Sequence, residues 1–156
     1  MEVISLAAAI TLTEWSERTF WRRFTEGTIK KESRNGKAVI RFASIRDNLC
    51  LPLNADDMLL LELADGGDAG AQTELALHFL DHRKPKGALA WLGLATKQDD
   101  ANAMYFLGRC YIDGGSRDIE RDENLGLMWV AKAACHGSVL AIAVMESIRE
   151  RIGAPG

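Results

Sequence analysis

The sequence predicts a mainly α chain in two parts: a small head of two helices and a β-hairpin, then a body of stacked helical hairpins. Three observations predict this. Asn35-Gly36 lies between two β-prone stretches, which marks a tight hairpin. Residues beyond 68 match one another at offsets of 32 and 38, the spacing of helical repeats. Charge divides near the same boundary, with nine Lys/Arg against six Asp/Glu in residues 1–54 and ten against sixteen in residues 55–156.

Composition sets the outer bounds. At 156 residues and 47% apolar, the chain is ordinary globular material, which excludes a disordered tail, a collagen and a disulfide-packed miniprotein. It is too short for most two-domain enzymes with a cofactor fold. Cys50, Cys110 and Cys135 are odd in number and widely spaced, so neither a disulfide framework nor a zinc finger is expected, and a reducing cytosol is the natural compartment. The apolar start Val3–Leu12 follows Glu2 rather than a basic segment and reads as mature structure. No apolar run reaches the roughly 20 residues of a bilayer span, so no membrane partner is expected.

The head is assigned to residues 1–53. Ser5–Thr11 is Ala-rich and helix-favouring, and Ser16–Glu26 reads as a second helix with Ser16 as its cap and Gly27 as its stop. Thr28–Ser33 and Lys37–Ala43 then flank the Arg34-Asn35-Gly36 turn. Helix, turn, helix, hairpin is the order of a winged helix-turn-helix. Phe20 and Phe24 share one face of the second helix, with Trp15 or Trp21 able to close the same core. Arg18 and Arg22 share a different face, with Thr19 and Arg23 beside them. A helix lying in a DNA major groove needs such a layout, because apolar residues fix it to the scaffold while Arg reaches phosphates and guanine edges. Lys30, Lys31, Arg34 and Lys37 lie along the hairpin, where a wing meets neighbouring phosphates.

Ser16-Glu17-Arg18-Thr19, Trp21-Arg22-Arg23-Phe24, Glu26-Gly27 and Ile29 resemble the recognition helix and wing entry of MerR-type and excisionase-type winged helix-turn-helix domains of bacterial regulators. The resemblance covers about the first 46 residues and implies that this helix and wing bind DNA. The long helix by which MerR regulators dimerise does not follow, so their two-fold reading of a palindrome is not carried over.

Residues 54–67 read as a connector helix, capped at Asn54, with Asp56 and Asp57 at the positive end of its dipole and Gly66-Gly67 as its end. Residues 68–156 form the repeat region. Ala69, Ala71, Leu75, Ala76 and Phe79 match Ala101, Ala103, Leu107, Gly108 and Tyr111 at an offset of 32. Trp91 and Ala95 match Trp129 and Ala133 at 38, as Ala103 matches Ala141. The extra residues fall between Tyr111 and Glu123, around Gly114-Gly115. Small residues let paired helices approach, and each pair leaves an apolar face for its neighbour to cover.

Ala101-Asn102-Ala103, Leu107-Gly108, Tyr111, Gly114, Asp122, Trp129, Lys132-Ala133-Ala134 and Gly137 closely resemble a SEL-one-like repeat, a unit of tetratricopeptide type. The first unit diverges around Lys84-Pro85-Lys86, and Ser138–Ile152 reads as a capping half-repeat. The resemblance implies an α/α superhelix that holds protein partners and is not an enzyme.

Other chemistry finds little support. His78 and His82 are spaced so that both imidazoles could face one metal, with Asp81 nearby, yet the sequence identifies no third ligand, and both read as helix-surface residues. Cys135-His136 falls at a helix end and reads as a packing or solvent position rather than a nucleophile pair. Gly66-Gly67 and Gly114-Gly115 lack the Gly-Lys-Ser/Thr of a phosphate loop. Trp91 and Trp129 repeat in register and read as core.

The favoured reading is a cytoplasmic DNA-binding transcriptional regulator without metal or cofactor. Arg18, Thr19, Arg22 and Arg23 enter or line the major groove, and Lys30, Lys31, Arg34 and Lys37 hold phosphates. So small a module needs dimerisation or a partner for specificity. The competing reading is an adaptor that binds only proteins, through head and repeats alike. The short apolar junction Leu51-Pro52-Leu53 favours a fixed arrangement of head and body.

Overall fold

The computed structural model describes residues 1–114 and 116–154; Gly115 of the Gly114-Gly115 pair and residues 155–156 of the repeat region lie outside them. The described residues are mainly helical, with eight α-helices and a small antiparallel sheet.

In the head, strand β1 (Val3–Ser5) leads directly into α1 (Leu6–Thr13) and α2 (Glu17–Glu26), followed by β2 (Lys31–Arg34) and β3 (Lys37–Arg41). The sheet order is β1-β3-β2, with Ser5 opposite Val39 and Lys31 opposite Ile40. Asn35 and Gly36 both take positive φ, 52° and 74°, as a two-residue hairpin turn of right-handed twist requires. β1 is absent from the sequence reading, because three residues before an Ala-rich run carry no periodic signal.

Other boundaries shift for local reasons. α1 runs past Thr11 to Thr13, whose hydroxyl donates back to the Ala9 carbonyl at 2.8 Å, so the turn into α2 is only Glu14, Trp15 and Ser16. β2 starts at Lys31 rather than Thr28. The N–H groups of Thr28 and Ile29 both return to the Arg23 carbonyl and keep this stretch wrapped on the helix end. The second arm stops at Arg41, and Phe42–Ser44 turns as 3₁₀ helix, with Phe42 and Ile45 buried.

The body is a succession of antiparallel neighbours: α3 (Ala55–Asp65), α4 (Ala69–Asp81), α5 (Pro85–Thr96), α6 (Ala101–Asp113), α7 (Glu123–Cys135) and α8 (Val139–Gly153). The repeat period reappears in the caps. Asp68, Asp100 and Ser138, spaced by 32 and 38, each accept from the backbone N–H three residues on. Asp100 also accepts from the Thr73 hydroxyl at 3.1 Å, which ties one unit to the next. Gly108 and Gly126 meet across α6 and α7, and the matching positions in the first unit are the buried pair Ala76 and Ala88.

Head and body share one apolar cluster, in which Ile4, Ala8 and Leu12 join Leu61, Leu75 and Trp91. Polar links cross the same contact. The Ser5 N–H donates to Asp65 at 2.8 Å, the Trp91 indole N–H to the Thr11 hydroxyl at 3.1 Å, and the Lys84 ammonium to Glu14 at 3.1 Å. Trp91 is buried as expected, whereas Trp129 is only half-buried, with Lys132 Nζ 5.2 Å from its ring centre.

Candidate functional site

The Ser16 hydroxyl accepts the Thr19 N–H at 3.1 Å and starts α2, while Gly27 in left-handed conformation ends it. Phe20 is fully buried, with Trp15 at 5.3 Å and Phe24 at 6.1 Å between ring centres. Trp15 closes this core over Phe20, while Trp21, 45% exposed, packs edge-on against Phe24 at 5.6 Å between ring centres.

The eight basic-site candidates fall into distinct places. Arg18 and Arg22 are exposed, one turn apart, and flank the outward Trp21; the Arg22 guanidinium lies 3.9 Å from Glu26. Thr19 is half-buried and held by Ser16, with 3.0 Å between the two hydroxyls. Lys31 joins the Arg18–Arg22 group through Trp21, its ammonium 4.3 Å from the indole centre. Lys30 is exposed at the entry to β2.

Arg23 points elsewhere. Its guanidinium lies 4.0 Å from the centre of the Trp15 ring, and its Nε is buried without a partner. The second helix therefore carries a stacked, structural cation beside two exposed ones, Arg18 and the Glu26-paired Arg22.

Arg34 and Lys37 frame the hairpin tip. Together with Val3, Val39, Glu62 and Asp65 they line a cleft of about 390 Å³ between the outer sheet face and the C-terminal end of α3. Sequence reading missed the outward Trp21 and the carboxylates facing the tip. The first was visible in the spacing, since residue 21 falls off the Phe20–Phe24 stripe; the second requires the tertiary contact between α3 and β1.

The body has its own concavity. A groove of about 750 Å³ runs between α4, α6 and their following loops, lined among others by Leu77, Leu80, Tyr105, Phe106, Arg109 and Ile119. Arg109 reaches Asp113 with two contacts of 3.0 and 3.2 Å. Cys110 at its wall is buried, and burial, aided by Asp113, pushes its thiol up to about 11.

Of the two histidines expected at the helix surface, His82 is exposed, its Nδ1 2.9 Å from the His78 carbonyl, whereas His78 is half-buried, its Nε2 3.0 Å from the Pro52 carbonyl and 3.7 Å from Asp57, which fastens α4 to the junction. Among the described residues no group of three His, Cys, Asp or Glu side chains is placed to hold a metal. No single helix among them is long and apolar enough to cross a membrane.

No family model matches the chain, and no curated protein matches it. Among solved structures, the crystal structure of a Sel1 repeat protein from Oxalobacter formigenes is similar, with a TM-score of 0.52 and 30% identity over 63% of this chain and 75% of that one.

Proposed function

Since the chain belongs to the Sel1-repeat proteins, we propose that its repeats hold a protein partner while its head binds duplex DNA, as a transcriptional regulator of the reducing cytosol. The observation that carries the DNA half is the two-sidedness of α2. Phe20 and Phe24 fasten it to the scaffold, and Arg18 and Arg22, with Lys31 alongside over Trp21, extend from its exposed side. The three-residue turn before α2 and the hairpin after it support this reading, since a winged helix-turn-helix has the same order of elements.

The groove between α4 and α6 is the place for the protein partner. Its walls mix aromatic and aliphatic side chains with Arg109 and Asp81, the chemistry that favours a peptide segment over a nucleic acid.

The test is fluorescence anisotropy of labelled duplex DNA at two salt concentrations, with the wild-type protein and the Arg18→Ala/Arg22→Ala variant. Phosphate contacts lower log affinity by about 0.9 per contact per log unit of salt. The wild type is expected to bind with such a slope, and the variant to bind more weakly with a slope shallower by about 1.8, two contacts' worth. Absence of binding at low salt overturns the DNA half.

A second reading has its own observation. Glu17 accepts from the Trp21 indole at 3.3 Å and Glu26 lies beside Arg22, so carboxylates interleave with the cations around an exposed Trp. Trp and Arg are the residues that dominate protein interfaces. Under this reading the head docks on a protein, and no DNA affinity appears at any salt.

A further inference from the structure

The repeat register extends one step beyond the second hairpin. Ser138 stands 38 residues after Asp100 and caps α8 as Asp100 caps α6. α8 is thus the first helix of a third hairpin. By the same offset Met104 and Leu107 correspond to Ile142 and Met145, while Gly108, on which α7 closes, corresponds to Glu146. The face that α7 covers on α6 is only partly covered on α8, where Met145 also packs against the Met104–Val130–Ala133 core and Ala134 of α7 borders the rest. Ile142 is 38% exposed and Ile152 81%, and with Met145 and Ile148 they line a shallow depression of about 430 Å³, with Glu146 and Arg149 along it.

Two features decide what covers this face. A Cβ on Gly108 would meet the Gly126 carbonyl at 2.7 Å, so the helices of the second hairpin touch backbone to backbone. Glu146 in the equivalent place does not permit the backbone-to-backbone approach of Gly108. The face is also self-complementary in charge. An antiparallel copy related by a two-fold axis between Ser147 and Ile148 sets Glu146 against the second copy's Arg149 and the reverse, with Ile152 of each over the Ile142–Met145 end of the other. Within one chain, neither residue forms an ion pair among the described residues.

We infer that α8 is a homodimer interface, in which two copies pair antiparallel through Ile142, Met145, Ile148 and Ile152 with reciprocal Glu146–Arg149 ion pairs. This does not depend on what the head binds.

The experiment is sedimentation velocity of the full chain under reducing conditions, which keep the exposed Cys135 from linking copies. Wild type, Glu146→Arg, Arg149→Glu and an equimolar mixture of the two variants are compared at about 100 μM, enough to populate a dimer of micromolar dissociation constant. Both side chains are exposed, so the variants keep their fold, as circular dichroism verifies. The wild type sediments as a dimer. Each variant alone opposes like charges twice and sediments as a monomer, whereas the mixture restores opposite charges at both contacts and the dimer returns. A monomeric wild type overturns the inference and assigns the face to a different partner. Single variants that dimerise like the wild type, or a mixture that stays monomeric, place the interface elsewhere and overturn it equally.

Discussion

Gly108 and Gly126 face each other across the contact of α6 and α7, so close that a Cβ on either would fall 2.7 or 2.6 Å from the other's carbonyl oxygen. The obstacle is backbone, which cannot swing aside as a side chain can. Gly108→Ala therefore forces the two helices apart and loosens Met104, Val130 and Ala133, which pack beside the contact. Overpacking of this kind costs about 1–3 kcal/mol, so the melting temperature should fall by roughly 3–10 °C in a chain of this size. Thermal unfolding followed by circular dichroism measures it. An unchanged melting temperature would mean the hairpin has slack that the geometry denies.

Asp65 ends α3, where the helix dipole disfavours a carboxylate, yet it accepts both the N–H and the hydroxyl of Ser5 at the start of α1. The bond therefore serves the joint between head and body rather than the helix. Asp65→Asn removes the charge and Asp65→Ala removes the acceptor altogether. Hydrogen bonds to charged groups contribute about 1.5–3 kcal/mol, so Asp65→Ala should destabilise by that order and Asp65→Asn by less. Urea denaturation gives both values. A second, earlier unfolding transition in Asp65→Ala would show the head coming loose first.

The repeat body was legible because its signals are local and recur. The Asp100 cap, the Ala103 and Ala141 contacts and the Gly108 approach all stand at fixed offsets that self-comparison finds. Residues 16–27 of the head were legible for a similar reason, since Ser16, the Phe20–Phe24 stripe and Gly27 are each read within one helix. What the sequence did not disclose depends on contacts across long separations. β1 exists because β3 offers it an edge some 35 residues later, and Asp65 matters because α3 ends beside Ser5. The roles of Arg22 and Arg23 differ although the residues are adjacent, because one helical step of about 100° carries the second onto Trp15.

That difference between neighbours is measurable. Arg23 stacks on Trp15 with a buried Nε, whereas Arg22 is exposed beside Glu26. Arg23→Ala should cost about 0.5–2 kcal/mol of stability through lost stacking and stem packing. Arg22→Ala should leave stability within about 0.5 kcal/mol and act only on binding. Denaturant titration of the two variants in parallel is sufficient. Equal stability losses would remove the structural role assigned to Arg23.

Three free thiols report on burial through their chemistry. Cys135 is exposed, while Cys50 and Cys110 are pushed from 9.0 up to about 11, in both cases first by burial and then by a nearby carboxylate, Glu14 and Asp113 respectively. The thiolate is the reactive form, and at pH 8 a thiol of such pKa is ionised to roughly one part in 10³. A disulfide reagent at that pH should therefore titrate Cys135 rapidly and the other two far more slowly. The slow rates should climb about tenfold per pH unit up to pH 10. The same shifts set the sign of the alkaline stability change. Folding favours the neutral thiols, so their contribution is complete below pH 9 and is lost as pH rises through 9.0 toward 11. Cys50→Ser and Cys110→Ser, one at a time, should each flatten part of that loss, and three equally fast thiols at pH 8 would show that neither site is shielded.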